Sequence, residues 1–202
     1  MKTFFVPLLL AAAATLASAA AVVGQPAPAF TAVDTAGKAV SLADYKGKHV
    51  VLEWVNPGCP FVQKHYGSAN MQATQKAAVD KGVVWLTVNS TAPDAGDYKA
   101  PAEMAAWMRE QKAAASATLM DADGKVGKAY GARTTPHMYL IDPAGKLIYA
   151  GAIDSRASAN PAHIKTSTNY VAQAVNEALA GKPLSLSTTQ SYGCSVKYSS
   201  GA

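Results

Sequence analysis

Two cysteines, Cys59 and Cys194, are the residues of this 202-residue chain best suited to covalent chemistry. Cys59 stands in the stretch His49 to Tyr66, HVVLEWVNPGCPFVQKHY, where an apolar run meets Asn56-Pro57-Gly58, then the thiol, then Pro60. That order reads as buried strand, tight turn, thiol and helix start, with Pro60 at the first helical position, where its missing N–H costs nothing. A thiol placed there faces unpaired backbone N–H groups and the positive end of the helix dipole, and both favour thiolate over thiol. Cysteine is also a common inert core residue, so the surroundings must decide between the two.

Glu53 lies six residues earlier, inside the otherwise apolar run. Burial there raises a carboxyl pKa and makes Glu53 a candidate proton acceptor for thiol chemistry; a solvent-facing edge, or an ion pair with Lys48 or Lys64, is the alternative. In Thr134-Thr135-Pro136-His137 the proline precedes the apolar run MYLID. A proline cannot donate to a sheet ladder, so Pro136 belongs at the strand start, where a cis bond is a candidate. Arg133 either brings positive charge near the thiol or coats the surface. Cys194 lies in a Ser/Thr-rich tail over residues 182–202. If the tail folds back over the helix start, Cys194 is placed to attack an oxidised Cys59 as a resolving thiol. A bridge closing roughly 135 residues is also worth several kcal/mol, so the same bond would serve as a permanent staple.

The elements needed to position these groups are legible. Phe30 to Val33 and Lys38 to Leu42 flank Asp34-Thr35-Ala36-Gly37 as a hairpin. Ser41 is placed to cap a helical turn over Leu42 to Tyr45. A helix is expected from Pro60 to about Lys81, with a break at Gly67-Ser68, followed by a buried strand Val83 to Asn89. Strand, helix, strand in that order argues for a parallel unit. Pro101 opens another helix, Thr118 to Met120 is a short strand, and Val126 to Tyr130 is a helical turn. His137 to Ile141 and Lys146 to Ala150 form a second hairpin, and a final amphipathic helix runs from about Thr168 to Ala180.

Residues 1–19 have one basic residue, a short apolar run and Ala17-Ser18-Ala19, which read as a secretory signal peptide. The expected location is therefore the periplasm, where disulfides persist. Residues 20–202 suit a single domain with a cysteine-bearing tail. The formal net charge of +5 is spread along the chain, and no basic run or aromatic interleaving points to nucleic acid. No later segment is apolar enough to span a membrane. The four histidines have no metal-ligand spacing, and no metal is expected; Cys59 with His137 as a copper or zinc pair is the minor alternative.

EWVNPGCPFV and GARTTPHMYLIDPAGKLIYAGAID resemble the active-site strand and helix and the cis-proline hairpin of the thioredoxin fold. The opening APAFTAVDTAGKAVSLADYKGKHVVL resembles the redoxin branch, the alkyl hydroperoxide reductase/thiol-specific antioxidant superfamily. The ending GKPLSLSTTQSYGCSVKY is similar to a peroxiredoxin-like subgroup with a late cysteine. The resemblance implies an α/β thioredoxin-like fold, a central mixed sheet flanked by helices with an N-terminal β-hairpin extension. It implies Cys59 as first thiol, Glu53 as buried proton-relay acid, and Thr135 and Pro136 as the backbone that positions a substrate. Two departures stand out. Val62 replaces the second cysteine of Cys-x-x-Cys, and Leu52 and Asn56 stand where the peroxiredoxin motif has proline and threonine. The expected activity is thiol–disulfide exchange, or peroxiredoxin-like antioxidant chemistry, at Cys59. It needs no organic cofactor, takes a protein or small-molecule thiol, disulfide or peroxide as substrate, and draws on a separate electron donor. A non-catalytic binding scaffold stapled by Cys59 and Cys194 is the other reading, and the oligomeric state is open.

Overall fold

The run Val50–Trp54 forms strand β3, buried at every position, as a strand covered on both faces must be. The computed structural model describes residues 20–199; the expected signal peptide lies outside them. Strand β4 (Val84–Asn89) runs parallel to β3, and β5 (Ala117–Met120) parallel to β4. On the other side β3 pairs antiparallel with β7 (His137–Ile141), which pairs with β8 (Leu147–Gly151). The N-terminal hairpin, β1 (Thr31–Asp34) and β2 (Ala39–Ser41), joins the same sheet through β1 against β5, giving the order β2-β1-β5-β4-β3-β7-β8. The expected hairpin extension is thus a continuation of the central mixed sheet.

Alternation along β3 divides the core. Val51 and Val55 face one apolar cluster with Trp85, Met138 and Leu140; Val50, Leu52 and Trp54 face another with Leu86, Val88 and Tyr139. Helices α1 (Pro60–Gly67), α2 (Asn70–Val79), α3 (Pro101–Glu110) and α5 (Tyr170–Leu179) cover the first face through Val62, Tyr66, Met71, Met104 and Val171. Helix α4 (Lys125–Tyr130) and the hairpin cover the second through Val126, Tyr130, Phe30 and Val40.

The break expected after α1 is present: Ser68 turns its hydroxyl back onto the Lys64 carbonyl at 2.7 Å, and Ala69 adopts φ 60°. Helix α5 starts two residues later than Thr168, because the Asn169 side chain accepts the Ala172 N–H at 2.9 Å and caps it. Ser41 caps the turn Leu42–Tyr45 as expected.

Composition alone gave the tail no strand. In the structure its backbone lies as a strap across the sheet edge. Ala150 N–H donates to Ser187 O at 3.1 Å, Val196 N–H to Arg133 O at 3.0 Å, and Ala92 N–H to Lys197 O at 2.8 Å. Cys194–Ser195 forms strand β9, antiparallel to the two-residue strand β6 (Thr134–Thr135). A turn Pro161–Thr166, also without a sequence signal, precedes α5. Among the described residues no helix is long and apolar enough to cross a membrane.

Candidate active site

Cys59 is the N-cap residue of α1, with Pro60 at the first helical position. The turn before it is shaped by Asn56, whose side-chain Oδ1 accepts Gly58 N–H at 2.7 Å. The Asn56 amide donates to Asp97 Oδ2 at 2.8 Å and to Thr91 Oγ1 at 3.3 Å. Asn56 therefore organises the loop from beneath.

Cys59 is only 2 % exposed. Its Sγ lies 3.0 Å from the carbonyl oxygen of Thr135, to which the thiol donates, and the Thr135–Pro136 peptide bond is cis. Because β6 pairs with β9, Cα of Thr135 is in register with Cys194, and the two thiols are brought together closely enough for each to shift the other's pKa. Both cysteines are free thiols here. Gly193 permits the approach: its φ is 130°, and a Cβ there would sit 2.1 Å from Thr135 O.

Burial pushes the Cys59 thiol up, yet its net pKa is lowered. The Cys194 thiol, the Thr135 side chain and the backbone N–H groups of Val62 and Cys194 all donate to the sulfur. Cys194 goes the opposite way, pushed up to about 12 by burial and by the hydrogen bond to, and charge of, Cys59. Of the two thiols, Cys59 is therefore the one that gives up its proton first, and Cys194 the one that keeps it.

Glu53 is completely buried on the same sheet face. It accepts from Tyr66 Oη at 2.8 Å, Gln75 Nε2 at 3.0 Å, Trp85 Nε1 at 2.7 Å and Thr87 Oγ1 at 3.5 Å. Burial raises its pKa, and these four donors only partly oppose the rise. Neither Lys48 nor Lys64 pairs with it, against the ion-pair alternative, and Cys59 is not among its hydrogen-bond partners. Lys64 instead reaches Asp154 at 3.0 Å, both side chains being nearly sealed from solvent.

Arg133 is exposed; its backbone N–H donates to His137 Nδ1 at 3.2 Å and its charge helps hold His137 down at about 4, second to burial. His137 Nδ1 also meets Tyr139 Oη at 3.1 Å, so that nitrogen is already engaged by protein groups. Among the described residues no three of His, Cys, Asp and Glu gather as a metal site.

The AhpC/TSA family profile matches residues 23–150, more than half of the sequence. The chain belongs to the AhpC/TSA family. Among curated relatives of this AhpC/TSA chain, the thiol-disulfide oxidoreductase ResA of Bacillus subtilis is 27% identical over 132 residues, 62% of this chain and 64% of ResA. The match thus spans just under two thirds of that relative. Among solved structures, an uncharacterised conserved protein from Geobacillus kaustophilus superposes with TM-score 0.76 at 26% identity, covering 90% of this chain and 94% of that one. The thioredoxin domain of a Bacteroides vulgatus thiol-disulfide oxidoreductase superposes with TM-score 0.51 at 28% identity, covering 72% and 96%. The fold is thioredoxin-like.

In this AhpC/TSA chain the fold brings together Cys59, Thr135, Pro136 and Cys194, four of the residues singled out from sequence. Glu53 sits deeper in the core, Asn56 below the turn, and Arg133 outside. What the sequence did not reveal is the group that anchors the tail. Tyr192 is edge-on to Phe61 with centroids 5.7 Å apart, and its hydroxyl donates to Asp154 and meets Lys64 Nζ at 3.4 Å and His65 Nε2 at 3.3 Å. On the far side of Cys194, Lys197 pairs with Asp97, and Tyr198 Oη donates to Ala132 O at 2.7 Å. Tyr192 itself lies outside strand β9, and the sequence carries no signal for its partners.

Proposed function

We propose that this protein is a thiol–disulfide oxidoreductase in which Cys59 is the nucleophile and Cys194 the resolving thiol. The observation that carries this reading is the pairing of Cys194 with Thr135, whose carbonyl lies 3.0 Å from Cys59 Sγ, so that the two thiols are set together, with the Cys59 pKa lowered and that of Cys194 pushed up to about 12. A thiolate attacks a disulfide far faster than a thiol does. Cys59 thiolate attacks one sulfur of a substrate disulfide, forming a mixed disulfide and expelling the other sulfur as a thiolate. Once Cys59 is bonded, the charge that held the proton on Cys194 is gone, and the Cys194 pKa falls. Cys194 then loses its proton, with Glu53 as the proposed acceptor, and attacks Cys59, releasing the reduced substrate and leaving a Cys59–Cys194 disulfide. A separate thiol donor restores the pair with two electrons.

Thr135, in cis linkage to Pro136, supplies the backbone edge beside the sulfur. Glu53 is the proposed buried proton acceptor, holding its proton more readily than an exposed glutamate. Cys59, Thr135 and Pro136 resemble the thioredoxin arrangement, and the relatives named as thiol-disulfide oxidoreductases support the class of reaction. Peroxide is left out of the proposal, since the position of the peroxiredoxin threonine is Asn56, whose amide is committed to Asp97 and Thr91. The signal-peptide pattern of residues 1–19 supports action in the periplasm.

The test is trapping. Reduced Cys194→Ser protein is incubated with glutathione disulfide, and the adduct is located by peptide mass spectrometry. A glutathione adduct on Cys59, converted in wild type to a Cys59–Cys194 disulfide, is the expected result. No adduct at Cys59 overturns the assignment.

A further inference from the structure

Cys194 reaches Cys59 only because the tail is docked, and the docking is polar where it matters most. Lys64 and His65 are fully buried and Asp154 is 3 % exposed, yet all three turn toward one tail residue, Tyr192. Ion pairs buried this deeply are costly to desolvate and need further hydrogen bonds to be tolerated. Lys64 Nζ lies 3.0 Å from Asp154 Oδ2, 3.3 Å from Arg156 O and 3.4 Å from Tyr192 Oη. The phenol completes the cluster by donating to Asp154, and Lys64 also lies 5.6 Å from the centre of its ring. Asp154 follows β8, Lys64 and His65 belong to α1, and Tyr192 precedes Cys194 by two residues, so the cluster ties the tail to the helix that carries Cys59 at its start.

We propose that Tyr192 is a positioning residue: its phenol, seated on Lys64, His65 and Asp154, latches the Cys194 strand onto the Thr134–Thr135 edge and fixes the tail thiol against Cys59. The inference rests on the exchange reading above and adds a consequence to it. With the latch closed, strand β9 occupies the edge beside Pro136 and leaves Cys59 2 % exposed. A second polypeptide can then reach Cys59 only when the tail has lifted. The latch sets both how readily Cys194 closes on Cys59 and how often the edge is free.

Tyr192→Phe tests this, because it keeps the ring packed on Phe61 and removes only the hydroxyl. The first readout is equilibrium with glutathione: glutathione disulfide oxidises the two thiols, giving the Cys59–Cys194 disulfide and two molecules of glutathione. The equilibrium constant for closing the bridge is expected to fall about tenfold in Tyr192→Phe, the scale of one hydrogen bond to a charged group. The second readout is the rate at which a bulky maleimide labels Cys59 in a Cys194→Ser background, expected to rise by a similar factor when Tyr192→Phe is added. Unchanged values in both overturn the latch. If wild type forms no bridge with glutathione disulfide, the exchange reading falls, and the labelling rate still decides the latch alone. Should Tyr192→Phe fold poorly, Phe61→Leu loosens the same anchor from the other side of the ring and is judged by the same two readouts.

Discussion

Asp154→Asn should be among the most damaging conservative substitutions in this protein. The carboxylate is 3 % exposed and faces Lys64 Nζ at 3.0 Å, while its other oxygen accepts Arg156 N–H at 3.0 Å and the Tyr192 hydroxyl. An amide at that position turns its NH2 either toward the ammonium or toward the two other donors, Arg156 N–H and the Tyr192 hydroxyl. With the NH2 toward the ammonium, Lys64 is left with the Arg156 carbonyl at 3.3 Å and the Tyr192 oxygen at 3.4 Å, too few and too distant to solvate a buried charge. Breaking a buried pair from one side costs about 3–5 kcal/mol. For a chain of this size that lowers Tm by about 6–20 °C, at about 2–4 °C per kcal/mol. Urea unfolding followed by circular dichroism measures the loss. The double variant Lys64→Met/Asp154→Leu should recover most of it, because no charge then remains to be desolvated. A loss below about 1 kcal/mol for Asp154→Asn, or a double variant as unstable as the single one, would refute the reasoning.

His65 and His137 are both held down at about 4, chiefly by burial, whereas an unfolded histidine titrates near 6.5. The unfolded chain therefore takes protons first, and stability should be lost as pH falls from about 6.5 to about 4, by up to about 3 kcal/mol per histidine; urea midpoints across that window should fall less steeply in His137→Gln. Glu53 acts in the opposite sense, its raised pKa giving stability that is present at low pH and lost as pH rises through the folded value, so Glu53→Gln should flatten that part of the urea-midpoint profile. If Glu53 is the proton acceptor, Glu53→Gln also slows resolution of the mixed disulfide by about a hundredfold, the low end of general acid–base catalysis, and an unchanged quench-flow rate would remove it from the mechanism. Gly193→Ala places a Cβ 2.1 Å from the Thr135 carbonyl, so amide protection of residues 191–198 in hydrogen exchange should collapse while that of β3 and β4 persists.

The sheet was legible because its strands are short apolar runs set off by glycine and proline, and the site because Pro60 and Pro136 mark a helix start and a strand start. The break at Ser68 and the cap at Asn169 follow from local chemistry and fell within two residues of expectation. The tail is different in kind. Nothing in Ser191-Tyr192-Gly193-Cys194 states which distant edge it pairs with, and the register against Thr134 and Thr135 is set by contacts far apart in sequence. Lys64 illustrates the same limit: its spacing suited a surface lysine or a partner for Glu53, and only the fold carries Asp154, 90 residues away, to its side. Glu53 was rightly placed in a buried strand, but its ring of donors from Tyr66, Gln75, Trp85 and Thr87 comes from three further elements.

The distribution of one proton over two sulfurs is what the proposed chemistry depends on most. The pH dependence of iodoacetamide alkylation at each cysteine of the reduced protein, resolved by peptide mass spectrometry, measures it directly. Cys59 should react with a midpoint below the ordinary thiol value of about 8.5, Cys194 should stay unreactive well above it, and Cys194→Ala should move the Cys59 midpoint upward by removing a donor to the sulfur. A Cys59 midpoint at or above about 8.5, or a Cys194 that ionises first, would contradict the assignment of Cys59 as the nucleophile.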